Sequence, residues 1–129
     1  MTRTHLLIAV AFALTAACGS SNNSPTSPTP PGSPGPSGAT MTILSNGTLS
    51  PSSVDINVGQ SVTVINQDTR NHELASDPHP SHSDCPQFDV LTTPGQTKIS
   101  NALVTAKTCG IHDHLDSSNV NLLGQIRVH

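Results

Sequence analysis

The sequence has no tryptophan and no tyrosine, only two phenylalanines, and Lys, Arg, Asp and Glu together make up 10% of it. Five basic residues against eight acidic ones leave no cationic patch for a phosphate backbone, and the shortage of aromatics removes base-stacking platforms. A nucleic-acid partner is therefore excluded. The 129 residues set a ceiling of one small domain. Two-domain enzymes with a cleft do not fit. No Ser-His-Asp order stands out, and neither does a carboxylate pair suited to glycoside chemistry, so the chain reads as a non-enzyme. Eleven prolines and nine glycines argue against a helical bundle and for short strands and turns. Against this scarcity stand seven histidines and three cysteines.

The longest apolar run, Leu6–Ala17, follows Arg3 and ends at Cys18. As a helix it would measure ~18 Å, too short for the ~30 Å hydrocarbon core. A basic start, a short apolar middle and small residues before a break describe a secretory signal peptide over residues 1–17. Leu14-Thr15-Ala16-Ala17-Cys18 resembles a bacterial lipobox, which implies lipidation of Cys18, attachment to a membrane and an extracytoplasmic address in the cell envelope. An ordinary signal peptide is the other reading, and both place the mature chain under oxidising conditions. Residues 18–39 are rich in Pro, Ser and Gly with nothing apolar to bury, so they read as a disordered tether.

Residues 40–129 carry strand signals. Val54, Ile56 and Val58 alternate with polar residues, Gly59-Gln60 turns the chain, and Val62–Asn66 follows as a β-branched strand. His72-Glu73-Leu74, Thr97-Lys98-Ile99 and Gly124–Val128 are further strands. The expected fold is all-β, a small Greek-key sandwich. One long polar insertion, Ser76 to Thr93, interrupts it and reads as a structureless loop.

The densest chemistry is Cys109-Gly110-Ile111-His112-Asp113-His114, with His72 upstream. The pattern Asn66-x-Asp68-x-x-x-His72, then Cys109-x-x-His112, then Gly124-x-Ile126-x-Val128 resembles a cupredoxin across about residues 40–129. The resemblance implies a β-sandwich holding copper between His72 and a Cys109-x-x-His112 loop before the final strand, with His72, Cys109 and His112 as ligands and electron transfer to a redox partner protein. Asn66 or Asp113 could brace the ligating rings. The position three after His112 is Leu115, so the axial Met often found in the family is missing, and the loop to Gly124 is longer than usual.

Two cysteines in a secreted domain also read as a Cys85–Cys109 disulfide, which would remove the thiolate. A metal site survives that outcome. His112 and His114 lie i and i+2 on an extended segment and, with His72 across the sheet, could bind Cu(II) or Zn(II) for carriage or sensing rather than electron transfer. His79 and His82, on the proline-stiffened loop, could capture or cover the ion, or could be solvated. The competing reading of the whole chain is a metal-free, disulfide-stapled envelope interaction module.

Overall fold

In the computed structural model the described residues are 35–129; the signal segment, Cys18 and most of the tether lie outside them. Among the described residues the chain forms nine strands: β1 (Ser37–Ile43), β2 (Leu49–Ser50), β3 (Ser53–Ile56), β4 (Ser61–Asn66), β5 (His72–Ser76), β6 (Asp89–Thr92), β7 (Thr97–Ile99), β8 (Thr108–Asp113) and β9 (Gly124–Val128). Two 3-10 turns, His114–Asp116 and Val120–Leu122, lie between β8 and β9. No helix among the described residues is long and apolar enough to cross a membrane.

The strands make two mixed sheets, ordered β2-β1-β4-β7 and β3-β9-β8-β5-β6. Parallel pairs β1·β4 and β3·β9 tie the chain ends into both sheets, and the remaining pairs are antiparallel. Alternation in the sequence becomes the two faces of each sheet. Met41, Ile43, Val62, Val64, Leu74 and Ile126 point inward and are fully buried. Gly59 and Gly95 turn the chain with φ of +88° and +76°, conformations that favour glycine.

Three sequence expectations change. Strand β1 begins at Ser37, inside the segment assigned to the tether, because Ser37 pairs with Ser61 and Ala39 with Val62 on β4. The polar insertion is not structureless throughout. Phe88 is buried in the core, and Asp89–Thr92 form β6 against β5, with Val90 opposite Leu74. Finally, Cys109-Gly110-Ile111-His112 lies within strand β8 rather than in a loop before the final strand.

Candidate metal centre

Strand β8 carries adjacent residues to opposite faces of its sheet, and this decides where each histidine goes. Its neighbour β5 fixes the register: Leu74 lies opposite Asp113 and Ala75 opposite His112. Leu74 is a core residue, so Asp113 faces inward, and so does His72, two residues before Leu74. His112 therefore points to the outer face. The expected convergence of His72 and His112 on one ion does not occur, because the two rings stand on opposite sides of the same sheet.

Inside, His72 belongs to a buried Asp-His-Asp array. Its Nδ1 bonds Asp113 Oδ2 at 2.8 Å and its Nε2 bonds Asp68 Oδ2 at 2.9 Å, with His72 and Asp113 each 2% exposed. Each ring nitrogen faces a carboxylate oxygen, so neither points into an open position where an ion could sit. The His72 bond and the Thr69 amide hold the Asp68 carboxyl below its ordinary range. Asn66 shapes the loop beneath: its side-chain oxygen accepts from the Asp68 amide and its Nδ2 donates to the Arg70 carbonyl. Asp113 Oδ1 accepts from the Glu73 and Leu115 amides, so it also caps the 3-10 turn that begins at His114.

Cys109 is bonded to Cys85, with Cα atoms 5.9 Å apart. Both sulfurs lie in the hydrophobic core, and the closure of this loop stabilises the fold by ~3 kcal/mol in the chain-entropy account. No thiolate remains at Cys109. The His72, Cys109, His112 ligand set is therefore not assembled.

On the outer face a different group forms. His79, His82, His112 and His114 each offer a ring nitrogen, and these atoms all lie within 4.8 Å of one another. Nitrogens bound to one ion at ~2.0–2.1 Å stand ~3.3 Å apart in a tetrahedral arrangement, so a modest inward movement closes the set. His114 Nδ1 and His82 Nε2 are already at 3.0 Å, where one nitrogen donates to the other. The rings of His79 and His112 meet edge to face with centroids 5.4 Å apart.

The loop carrying His79 and His82 is held to β8 and β5 and braced within itself. The Asp77 amide donates to the Gly110 carbonyl at 2.8 Å, the His82 amide to the Pro78 carbonyl, and the Ser76 hydroxyl to the His82 carbonyl. His82 itself sits at φ 48°, the left-handed region that non-glycine residues adopt sparingly.

His112 is prepared as a ligand. Its Nδ1 donates to Asp77 Oδ1 at 2.7 Å, which places the proton on Nδ1 and leaves Nε2 with a lone pair. That Nε2 is buried and has no hydrogen-bond partner among the described residues. A buried nitrogen without a partner is costly, and a cation shared with the neighbouring imidazoles would satisfy it. Gly110 makes the arrangement possible, since a Cβ there would collide with the Asp77 carboxylate. Desolvation, followed by the neighbouring rings of His114, His112 and His82, holds His79 below its ordinary pKa and favours the neutral, ligating form. Beside the group, burial and then Asp89 push the Glu73 carboxyl above its usual range, while His114 and His82 pull it down.

The sequence singled out His112 and His114, and the structure brings both into this group. It brings in His79 and His82 as well, the pair weighed as a metal cap or a solvated loop. Their spacing from Cys85 was the available signal, because a Cys85–Cys109 bridge must draw that loop onto β8.

No protein-family model matches the chain, and no curated protein matches it. Solved structures do. A purple cupredoxin from Nitrosopumilus maritimus superposes with a TM-score of 0.54 at 16% identity, covering 70% of this chain and 99% of that one. The domain has the cupredoxin fold. A mutant fern plastocyanin gives 0.55 at 16% identity, covering 70% and 99% of the two chains. A mutant amicyanin in its Cu(I) form gives 0.56 at 15%, covering 78% and 95%. Within this cupredoxin sandwich the four-histidine group sits on the outer face of the five-stranded sheet, and the residue facing His72 is a carboxylate rather than a thiolate.

Proposed function

We propose that this domain binds one copper ion through His79, His82, His112 and His114, and that it holds or carries copper rather than passing electrons through a thiolate centre. The observation that carries the reading is the buried, partnerless Nε2 of His112 beside three further imidazoles. Imidazole suits copper in its divalent state, and among first-row divalent ions copper gains most from nitrogen ligands, which favours it over zinc. The cupredoxin fold is consistent with that metal, while the Cys85–Cys109 bridge argues against a blue-copper centre.

When bound, the ion would supply a single-electron couple. The chain's own residues do the rest. Asp77 keeps the proton on Nδ1 of His112, the disulfide fixes the loop bearing His79 and His82, and the Asp113 cap orients the turn bearing His114.

The reading extends to location. Lipidated Cys18 would tether the domain to a membrane on its extracytoplasmic side, with the Pro-rich segment as spacer. Four basic and eight acidic residues follow Cys18, so a protein that delivers or receives the ion would present a basic surface.

Titration with Cu(II) under non-reducing conditions tests the metal assignment. Uptake of one equivalent, a weak visible band and nitrogen hyperfine structure in the electron paramagnetic resonance spectrum are expected. An intense thiolate-to-copper band would overturn the ligand set. No uptake of any transition metal would favour the metal-free interaction module. Mass analysis of the mature N-terminus tests the anchor, which requires a diacylglyceryl adduct on Cys18.

A further inference from the structure

A cavity of about 290 Å³ opens beside the disulfide, lined by Ser83, Cys85, Gln87, Leu103, Val104 and Lys107 among others. Cys85 reaches this cavity and keeps 4% exposure, whereas Cys109 is fully enclosed. The two cysteines hold the histidine group symmetrically: Cys85 lies three residues after His82, and Cys109 three residues before His112. We infer that the cavity admits a small thiol to Cys85, and that opening the bridge releases the His79–His82 loop and with it the bound ion. This inference rests on the metal reading above and adds a means of release to it.

The observations favour this in three ways. Thiol–disulfide exchange needs an approach to one sulfur, and of the two cysteines only Cys85 lines the cavity. A cavity this small matches a small molecule rather than an inserted protein segment. The bridge is the one covalent tie between this loop and β8. The rest are hydrogen bonds, among them the Asp84 amide to the Asp77 carbonyl at 2.8 Å and the Cys85 amide to Ser76 Oγ at 3.0 Å, and the Lys107–Asp84 pair at 3.7 Å, both charges well exposed. An exposed pair of that kind contributes little.

The chemistry balances with a thiol as the reductant. A thiolate attacks Cys85 Sγ, the bond between the two protein sulfurs breaks, and Cys109 leaves as a thiolate that takes up a proton. A second thiol then displaces Cys85 from the mixed disulfide. The protein gains two electrons and two protons, and the reductant departs as its own disulfide.

Three measurements test this. Reduction by glutathione, followed by alkylation and mass counting, should yield two thiols, and Val104→Trp at the cavity mouth should slow it severalfold while Val120→Trp leaves it unchanged. An unaffected rate, or a bridge that opens only to a protein dithiol, overturns the small-thiol route. Cys85→Ala combined with Cys109→Val keeps the core apolar without the bridge and should bind Cu(II) at least tenfold more weakly; wild-type affinity in a folded variant overturns the release step. Should that variant not fold, histidine proton resonances of the metal-free wild type decide. Reduction should shift those of His79 and His82 and leave those of His72 in place, and unshifted His79 and His82 signals overturn the inference. Oxidised protein that takes up no Cu(II) would instead overturn the metal reading, and the resonance comparison would still report whether the bridge holds the loop.

Discussion

Replacing Asp77 with asparagine keeps the side chain's shape and an acceptor oxygen but removes its charge. In the folded protein that carboxylate accepts the Nδ1 proton of His112 at 2.7 Å. A hydrogen bond to a charged group contributes ~1.5–3 kcal/mol, against ~0.5–1.5 for a neutral one, so the change weakens the bond by ~1–1.5 kcal/mol. Roughly 1.4 kcal/mol is tenfold in an equilibrium constant. Loss of such a partner behind a ligating histidine ordinarily costs ~10–100-fold in metal affinity. The Asp77 side chain is 44% exposed, which places Asp77→Asn near the lower end, about tenfold, and Asp77→Ala above it. The assay is competition for Cu(II) against a chelator of known affinity at neutral pH, paired with thermal unfolding of the metal-free protein. Unfolding should shift by no more than the weakened bond, roughly 4–8 °C in Tm per kcal/mol, because the Asp77 amide still donates to the Gly110 carbonyl. Affinity within twofold of wild type would refute the claim that Asp77 prepares His112 for the ion.

Gly110→Ala should reproduce this loss without touching a charged residue. The new methyl displaces the Asp77 carboxylate, so Cu(II) affinity falls about tenfold while the fold persists, as circular dichroism and the same competition will read. His72→Ala should do the reverse. It leaves Asp68 and Asp113 buried without their partner, at a cost of ~3–5 kcal/mol and a Tm lower by roughly 12 °C or more, yet one Cu(II) per folded molecule should still bind; loss of uptake by folded protein would return His72 to the ligand set. Acidification should destabilise the metal-free domain. The His79 ring titrates below its ordinary 6.5, so as pH falls past that value the unfolded chain takes up a proton that the folded site resists, and stability declines until the folded ring also protonates. His79→Gln should flatten the dependence of Tm on pH over this window, and an unchanged slope would contradict the assignment. Cu(II) affinity should fall over the same range, since each imidazole must be neutral to ligate.

The sandwich was legible because period-two alternation at Val54–Val58 and Gly124–Val128 reports a half-buried strand directly. Strand β8 was less so. Thr108–Asp113 mixes one isoleucine with a cysteine, a glycine, a histidine and an aspartate, and these special side chains drew attention to chemistry and away from backbone pairing. Read as a loop, Cys109-x-x-His112 suggested ligands converging from one side. As a strand it sends Cys109 and Asp113 inward and His112 outward. The sequence could name both candidate fates of Cys109, but the choice between them depends on Cys85 approaching from a distant loop. The role of His72 failed for a related reason: its partners Asp68 and Asp113 lie four and 41 residues away, and only the pairing of β5 with β8 brings the second one within reach.

Strand β8 works as a partition, with the histidine chemistry on its wet side and a sealed hydrogen-bonded array on its dry side. Substitutions on the wet side can therefore retune or erase ion affinity while the dry side goes on anchoring the sheet. Insertion or deletion of a single residue within the strand would do what no point change there can. It would invert the partition, sending an imidazole into the hydrophobic interior and an aspartate to the surface. Lineages carrying this domain should accordingly tolerate exchange at position 112 more readily than any change in the length of β8.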